Sequence, residues 1–423
     1  MKTAIIISTR GYGVFDFTLL KQPNSVRIIG IFAEPDASNL PYEQLPHFHR
    51  IHVVPCAVKN PSTLQSALVD FESAYDIIAT TLETTALEDL TIHCHDEQNM
   101  LLAAKLRSSF GIGGPNYEAI LPYRDKCMMK EKLQARDIRV PRFGRFLPDR
   151  FRRGAAAYFD VIASEVGLPF ILKPVDSVGA EGIHKIGSLR DFKNLPGELG
   201  RQYAYEEYIG GTIFSVNIVS RKGHTLFGGV SEHLVNAFDA QAGKVNADIN
   251  LHEKDPRVPR MLAFAEQALD ALGRLEGGAH LELFLTERDE LVLLEVAAHF
   301  KGMAGLAAME RNYGIALVNL VFEIETGIES LPYQREQTYC FDGVLPKKSG
   351  EIDALNTPAL ESQVKMNWKV AKGERLRQST SLMANAGTFL VWNKDYDALY
   401  RDFKRLGSYE PISYKAEVAQ SLL

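Results

Sequence analysis

The stretch Ala279–Lys301, AHLELFLTERDELVLLEVAAHFK, constrains this chain more than any other. Two apolar segments, Leu281, Leu283 and Leu285, then Leu291 and Leu293, flank the polar run Glu287-Arg288-Asp289-Glu290. This pattern predicts a β-hairpin whose tight turn centres on Arg288-Asp289. In that register Glu282 faces Glu295 and His280 faces Ala297, with side chains leaving one face of the sheet. Opposed Cβ atoms lie roughly 5 Å apart, and like charges so placed destabilise a sheet. A divalent cation shared by the two carboxylates is the simplest compensation, and a solvated carboxylate pair is the alternative.

The rest of the chain must supply a scaffold for such a hairpin, and its 423 residues exceed one ordinary core, so two or three domains are expected. Charged residues at 24% and apolar residues at 46% are globular values, and a net charge of -6 gives no reason to expect nucleic acid as a partner. Cys56, Cys94, Cys127 and Cys340 are widely spaced with no CxxC or Cys/His ladder, which disfavours a disulfide framework and a zinc site. The opening MKTAIIISTR holds too short an apolar run for a signal peptide and reads as a first strand. No run approaches the ~18 apolar residues of a membrane helix. A cytoplasmic chain without a membrane partner is the expectation.

Residues 1–115 read as a small parallel α/β layer, with strand signals in TAIIIS, VRIIGIFAE, RIHVVP and YDIIATTLE. Arg10-Gly11-Tyr12-Gly13 follows the first strand where a phosphate loop could lie, but it lacks GxGxxG and reads as a turn. Asp96 is placed to cap a helix through Leu106 that Gly111 ends. From Tyr123, Met128, Met129 and Leu133 mark one side of a helix carrying Lys126. ILKPVDSVGAEGIHKI then gives a strand, Lys173-Pro174, and a loop with Ser177, Gly179 and Gly182, where glycines let backbone N–H groups approach an anion. YAYEEYIGG is extended and acidic before the strand from Ile213, and residues 231–257 read as a long loop of the kind that binds or covers ligands. The segment after residue 330 mixes strand signals, FDGVLP and GTFLVW, with an amphipathic DYDALYRDFKRL.

Asp125-Lys126, then Lys173-Pro174 with its Gly loop, then EEYIGG before FSV, then one Glu from each hairpin strand resemble the ATP-grasp superfamily in order and spacing. Within it, HLELFLTERDELVLLEVAAHFKGMAG is most similar to the L-amino acid ligases, the ATP-dependent dipeptide synthetases, with Ala297 the telling match. The resemblance implies an α/β and α+β multidomain protein: a Rossmann-like parallel layer (1–115), an ATP-grasp domain (116–330, with lobes 116–205 and 206–330) and a small C-terminal α+β domain (331–423).

It further implies a carboxylate–amine ligase acting on small molecules, amino acids among them, through an acyl phosphate. Lys126 and Lys173 would neutralise ATP phosphates, and Ser177, Gly179 and Gly182 would close over them. Glu206 and Ile209 would frame adenine with Glu207 alongside, while Glu282 and Glu295 would hold Mg²⁺, with Mn²⁺ the alternative ion. Dimers are common among such folds, so a homodimer is an open expectation. Two departures stand out. Ile213 replaces the carboxylate that would bind ribose hydroxyls, and His299 replaces the Arg that would steady the acyl phosphate, with Lys301 sharing its role. A histidine there must be held protonated or donate as a neutral tautomer. A purine-pathway carboxylase or formate ligase and a degenerate ATP-binding regulatory module are the other readings.

Overall fold

The structure, a computed structural model, describes all residues except 11, 58–67, 177–181, 196–201, 303, 332–337, 380, 381, 383 and 416–423. Strands β1 (Lys2–Ile7), β2 (Val26–Ala33), β3 (Arg50–Val54) and β4 (Leu90–His93) form a parallel sheet of order β3-β2-β1-β4. Its strands are apolar on both faces because both are covered. Ile5, Ile7, Ile29 and Ile31 pack with the helices Phe71–Leu82 and Met100–Phe110, whereas Ala4, Ile6 and Ile28 pack with Phe300, Val318 and Phe322.

Two local expectations change here. YDIIATTLE is helix, not strand: Asp70 caps it by accepting the Ser73 N–H, and Ala74, Ile78 and Thr81 form its buried stripe at three- and four-residue spacing. That stripe outweighs the β-branched composition, and the fourth strand is LTIH instead. Asp96 does not cap the helix that begins at Met100; it accepts the Gln98 N–H in a turn before it, while Gly111, at φ +71°, ends the helix as expected.

Strands β5 (Phe143–Arg145), β6 (Phe170–Pro174), β7 (His184–Ile186) and β8 (Tyr203–Glu207) form an antiparallel sheet of order β5-β8-β6-β7. The helix Pro148–Val166 covers it through Tyr158, Phe159 and Ile162. The largest sheet is built from β9 (Thr212–Arg221), β10 (His224–His233), β11 (Asn246–Asn250), β12 (Gly277–Leu285), β13 (Leu291–Ala297) and β14 (Tyr339–Leu345). The later strands are β15 (Gly350–Leu355), β16 (Gln363–Trp368), β17 (Arg375–Leu376), β18 (Gly387–Asn393) and β19 (Ile412–Tyr414). The order of the eight-stranded sheet is β13-β12-β9-β10-β11-β14-β18-β16, so strands from either side of residue 330 share one sheet.

Residues 231–257 are therefore not one long loop. They contain the end of β10, the helix Ala237–Gln241 and all of β11, whose Ala247 and Ile249 are buried against Phe341 and Phe389. Three alternating small apolar residues, Val245, Ala247 and Ile249, were the signal, hidden among Asn and Asp.

Helix Arg257–Leu272 and helix Lys126–Gln134 pack on β9, β12 and β13 through Met261, Ala265, Met129 and Leu133. This fixes one face of the hairpin and leaves the other open. The approach of β9 to the hairpin depends on Gly211, at φ +142°, where a Cβ would lie 2.4 Å from the Leu285 carbonyl oxygen. Gly211→Ala should lower the unfolding free energy by more than about 1 kcal/mol, read from urea-induced unfolding. Gly210→Ala, where a methyl would meet nothing within 4 Å, serves as the control.

Candidate active site

The hairpin sets Glu282 opposite Glu295 and His280 opposite Ala297, as the sequence predicts, but by a different route. The turn is a residue longer than expected: Thr286 N–H donates to the Glu290 carbonyl and Asp289 takes a left-handed φ of +58°. Next to the turn Leu283 therefore faces Leu293, and a bulge between Glu282 and Leu283 on the pairing map restores the predicted register. The extra residue is Leu294. It also solves a parity conflict, since Glu295 would otherwise point with Leu291 and Leu293 into the core. With the bulge, Leu293 and Val296 are buried in the core while Leu294, Glu295 and Ala297 line a cavity of about 310 Å³. On β12, His280, Glu282 and Phe284 face the same cavity, and on β9 Ile213 and Ser215 do.

Lysines answer the carboxylates. Lys126 Nζ lies 2.8 Å from Glu295 Oε1. Lys126 stands at the start of its helix because Asp125, the N-cap, accepts the Cys127 and Met128 N–H groups. Burial lowers the Lys126 pKa, but Glu295 and Glu97 outweigh it and leave it raised. Glu206, from β8, is buried with its two oxygens 2.9 Å from Lys130 and 2.9 Å from Lys173. Burial pushes Glu206 up, and the two ammonium groups reverse this and hold it at about 2, while burial brings Lys130 down to about 8. Glu206, expected to meet adenine through its side chain, thus has both oxygens committed to lysines. Glu207, one residue on, sits 3.2 Å from Arg139 and accepts the Arg142 N–H. For Glu282, burial raises the pKa, but His280 at 3.6 Å, with His233 and Lys173, holds it at about 2. Ile209 and Glu207 line the same cavity as the lysines. Gly182 lies at φ +71°, and Ser177 and Gly179 fall outside the described residues.

His299 is buried just past β13, with Nδ1 2.6 Å from the Phe300 carbonyl and Nε2 3.3 Å from Glu97. Since the carbonyl can only accept, Nδ1 carries a proton. Burial and the charge of Arg10 lower its pKa, against the pull of Glu97. Glu97 also pairs with Arg124. Burial alone would raise Glu97, yet His299, Arg124 and Lys126 keep it at about 2. Lys301 is 2.7 Å from Asp342 and 3.6 Å from Asp248, so its charge is already met.

Several of these groups escaped the sequence reading. Glu97 lies in His93-Cys94-His95-Asp96-Glu97, five titratable residues that begin on the last residue of β4, a run that could have flagged a strand-end site. Ser215, His233 and Asp248 form a line across β9, β10 and β11, a hydrogen bond of 2.6 Å between Ser215 and His233 followed by an ion-pair contact of 3.1 Å to Asp248, and nothing local announces it. Two hard carboxylates on one cavity face, with lysines around them, fit an oxygen-seeking divalent cation bound beside a polyphosphate. Among the described residues, no three His, Cys, Asp or Glu side chains form a metal cluster, so water and phosphate oxygens would complete the ligand set.

Residues 123–303 match the family model described as ATP-grasp domain. An L-arginine-specific L-amino acid ligase of Bacillus subtilis is 27% identical over 232 residues, 52% of this chain and 54% of that protein. The chain thus matches about half the length of this curated relative. An L-amino acid ligase of Bacillus licheniformis superposes with a TM-score of 0.71 at 16% identity, over 98% of this chain and 99% of that one. A carboxyaminoimidazole ribonucleotide synthase of Aspergillus clavatus, solved with ATP, gives 0.65 at 15% identity, over 96% and 97%. The whole chain has the ATP-grasp fold. No helix among the described residues is long and apolar enough to cross a membrane.

Removing Glu206 leaves two ammonium groups without their carboxylate. Glu206→Gln should cost about 3–5 kcal/mol at pH 7, softened as Lys130 discharges. The sign follows from a depressed carboxylate: the stabilisation is fully present above its ordinary pKa of 4.5 and fades as pH falls toward 2. Unfolding of both proteins between pH 3 and 8 should show the gap close at the acid end.

Proposed function

We propose that the protein is an ATP-dependent carboxylate–amine ligase that joins amino acids, or substrates like them, through an acyl phosphate. The observation that carries this is the pairing of Glu282 with Glu295 on the wall of a cavity that Lys126 and Lys173 also line. In this reading the Gly182 loop covers the phosphates, with Ser177 and Gly179, and Lys126 and Lys173 exchange their carboxylate partners for phosphate oxygens. The backbone at Ile209 takes the adenine edge, with Glu206 and Glu207 fixing the strand behind it. Glu282 and Glu295 hold Mg²⁺, or Mn²⁺, which draws charge from the phosphate oxygens when bound.

The substrate carboxylate oxygen takes the terminal phosphoryl group and ADP leaves. The amine then attacks the acyl carbon, inorganic phosphate leaves with the C–O bond, and the amine loses a proton. His299 is placed to receive that proton. With Nδ1–H committed to Phe300, a neutral imidazole offers Nε2 as an acceptor, and Glu97 at 3.3 Å balances the imidazolium. Lys301, held by Asp342 and Asp248, acts on the charge balance of the cavity rather than as a free cation.

ADP release should appear with mixtures of amino acids and fall at least about a hundredfold in Glu282→Ala and in Glu295→Ala, with circular dichroism unchanged. Unchanged turnover in those variants would sink the metal assignment. Tight ATP binding with no ADP release in any mixture would mark a regulatory module instead. For His299, the lowered pKa means that the acceptor form still prevails at the ordinary imidazole pKa and is lost only at lower pH. The rate should therefore decline on the acid side only, and His299→Gln should lower kcat and remove that limb.

A further inference from the structure

Among the described residues, one basic side chain in the cavity has no counterpart. Lys126, Lys173, His233, His280, His299 and Lys301 each face a carboxylate. Arg10, from the loop after β1, lines the same cavity, and among the described residues its guanidinium has no hydrogen bond or ion pair. Its backbone is fixed, for its N–H donates to Ser8 Oγ at 3.2 Å. A half-buried guanidinium without an acceptor is costly unless something is meant to meet it.

Arg10 also lines a second cleft, of about 750 Å³, between the ends of β1 and β2 and the strands β16 and β18. Arg10 is therefore where the two spaces meet. The cleft carries Lys365 and Lys369 on its far wall, with Asp36 its one acid among the described residues. Asp36 is not available to these bases, as it accepts from Ser8 Oγ, Thr9 N–H and Asn39 Nδ2 at 3.0–3.2 Å. The cleft is thus a basic approach to the cavity, suited to an anion. Its position outside the carboxyl ends of parallel strands is where open α/β sheets take ligands.

We infer that this cleft admits the amine component of the ligation, that this component carries a carboxylate of its own, and that Arg10 binds that carboxylate while the amine points to His299. The inference rests on the ligase reading for the identity of the amine. Arg10 also lines the second cleft, which the Glu282–Glu295 hairpin does not, and so the inference gives Arg10 the carboxylate that is not phosphorylated. Arginine suits it because the planar fork meets both oxygens at once, and it keeps its charge at every working pH. The field of Arg10 reaches His299 and lowers its pKa; a bound carboxylate would neutralise that field and make Nε2 a better proton acceptor when the amine is in place.

The test compares each common L-amino acid with its C-terminal carboxamide, which keeps the amine and loses the charge. Binding to the full chain with ADP and Mg²⁺ is measured by calorimetry for wild type, Arg10→Gln and Arg10→Lys, beside ADP release with the carboxamides as amine components. Wild type should bind at least one acid about tenfold or more tighter than its amide. Arg10→Gln should erase that preference by weakening the acid alone, leaving the amide and ADP unchanged, and Arg10→Lys should restore part of it. No acid preferred over its amide in wild type, a preference that survives Arg10→Gln, or equal loss for acid, amide and ADP would overturn the inference. The two readings separate: amino-acid binding that depends on Arg10 without ADP release removes the ligase and keeps the site. ADP release with an acid preference indifferent to Arg10 removes the site and keeps the ligase.

Discussion

The site depends on one extra residue. Leu294 bulges from β13, and everything on the open face of the hairpin follows from the change of parity it introduces. Before the bulge, Leu291 and Leu293 belong to the core under the helices Lys126–Gln134 and Arg257–Leu272; after it, Glu295 and Ala297 belong to the cavity. A strand without the bulge would bury either a leucine pair or a glutamate on the wrong side, and a slip of one residue inverts every side chain. The backbone at the bulge is not idle either, for the Leu294 carbonyl accepts from Lys130 at 3.3 Å. The same residue thus turns one carboxylate into the cavity and helps to hold a lysine that neutralises another.

Charge balance is the second constraint, and it explains why so many ionisable groups tolerate burial. Glu206, Glu97 and Glu282 all stay ionised at about 2, although burial alone would raise each of them. The compensating cations come from different parts of the chain: Lys126 and Lys130 from one helix, Lys173 from β6, and Arg124 from just before that helix. Such a network is expensive to break one member at a time, because each lost partner leaves an unpaired charge in a poorly solvated space. It can, however, be rearranged if phosphate oxygens replace carboxylates as partners of the lysines. Asp342 sits at the other limit: burial and Asp248 raise it to about 6 even beside Lys301, so that corner holds more acid than base.

The hairpin, the paired carboxylates and the two lysines were legible because each has a local signature: alternation, a cap at Asp125, a Lys-Pro strand end. The tight turn was misjudged, and the error cancelled only because the bulge shifts the register back by the same amount. YDIIATTLE, residues 75–83, reads as a strand since its β-branched residues mask a helical stripe, and β11 escapes notice because the alternation there spans only Val245, Ala247 and Ile249. Glu97, His233, Asp248 and Asp342 were out of reach for a deeper reason. They lie on strands β10, β11 and β14 or after β4, and only the order of strands in two sheets brings them to one cavity. Sequence periodicity tells which face a residue takes, but not which strand lies beside it.

In the proposed ligase, His299 and Arg10 divide the work that one permanent cation after β13 would otherwise do. A permanent cation after β13 would compete with Lys126 and Lys301 for the acids already there. A histidine bonded through Nδ1 to Phe300 instead brings a proton acceptor whose charge appears only when it has taken a proton. The fixed positive charge is then free to stand elsewhere, and Arg10 supplies it from the loop after β1 rather than from the hairpin. In the proposed reaction that arrangement separates two tasks: proton transfer beside Glu97, and recognition of an anion at the mouth of the basic cleft. It also couples them, because filling the Arg10 site removes the field that depresses His299. In that proposal the imidazole gains basicity when a carboxylate has arrived to accompany the amine, so that a histidine at this position responds to the state of the site where a permanent cation would not.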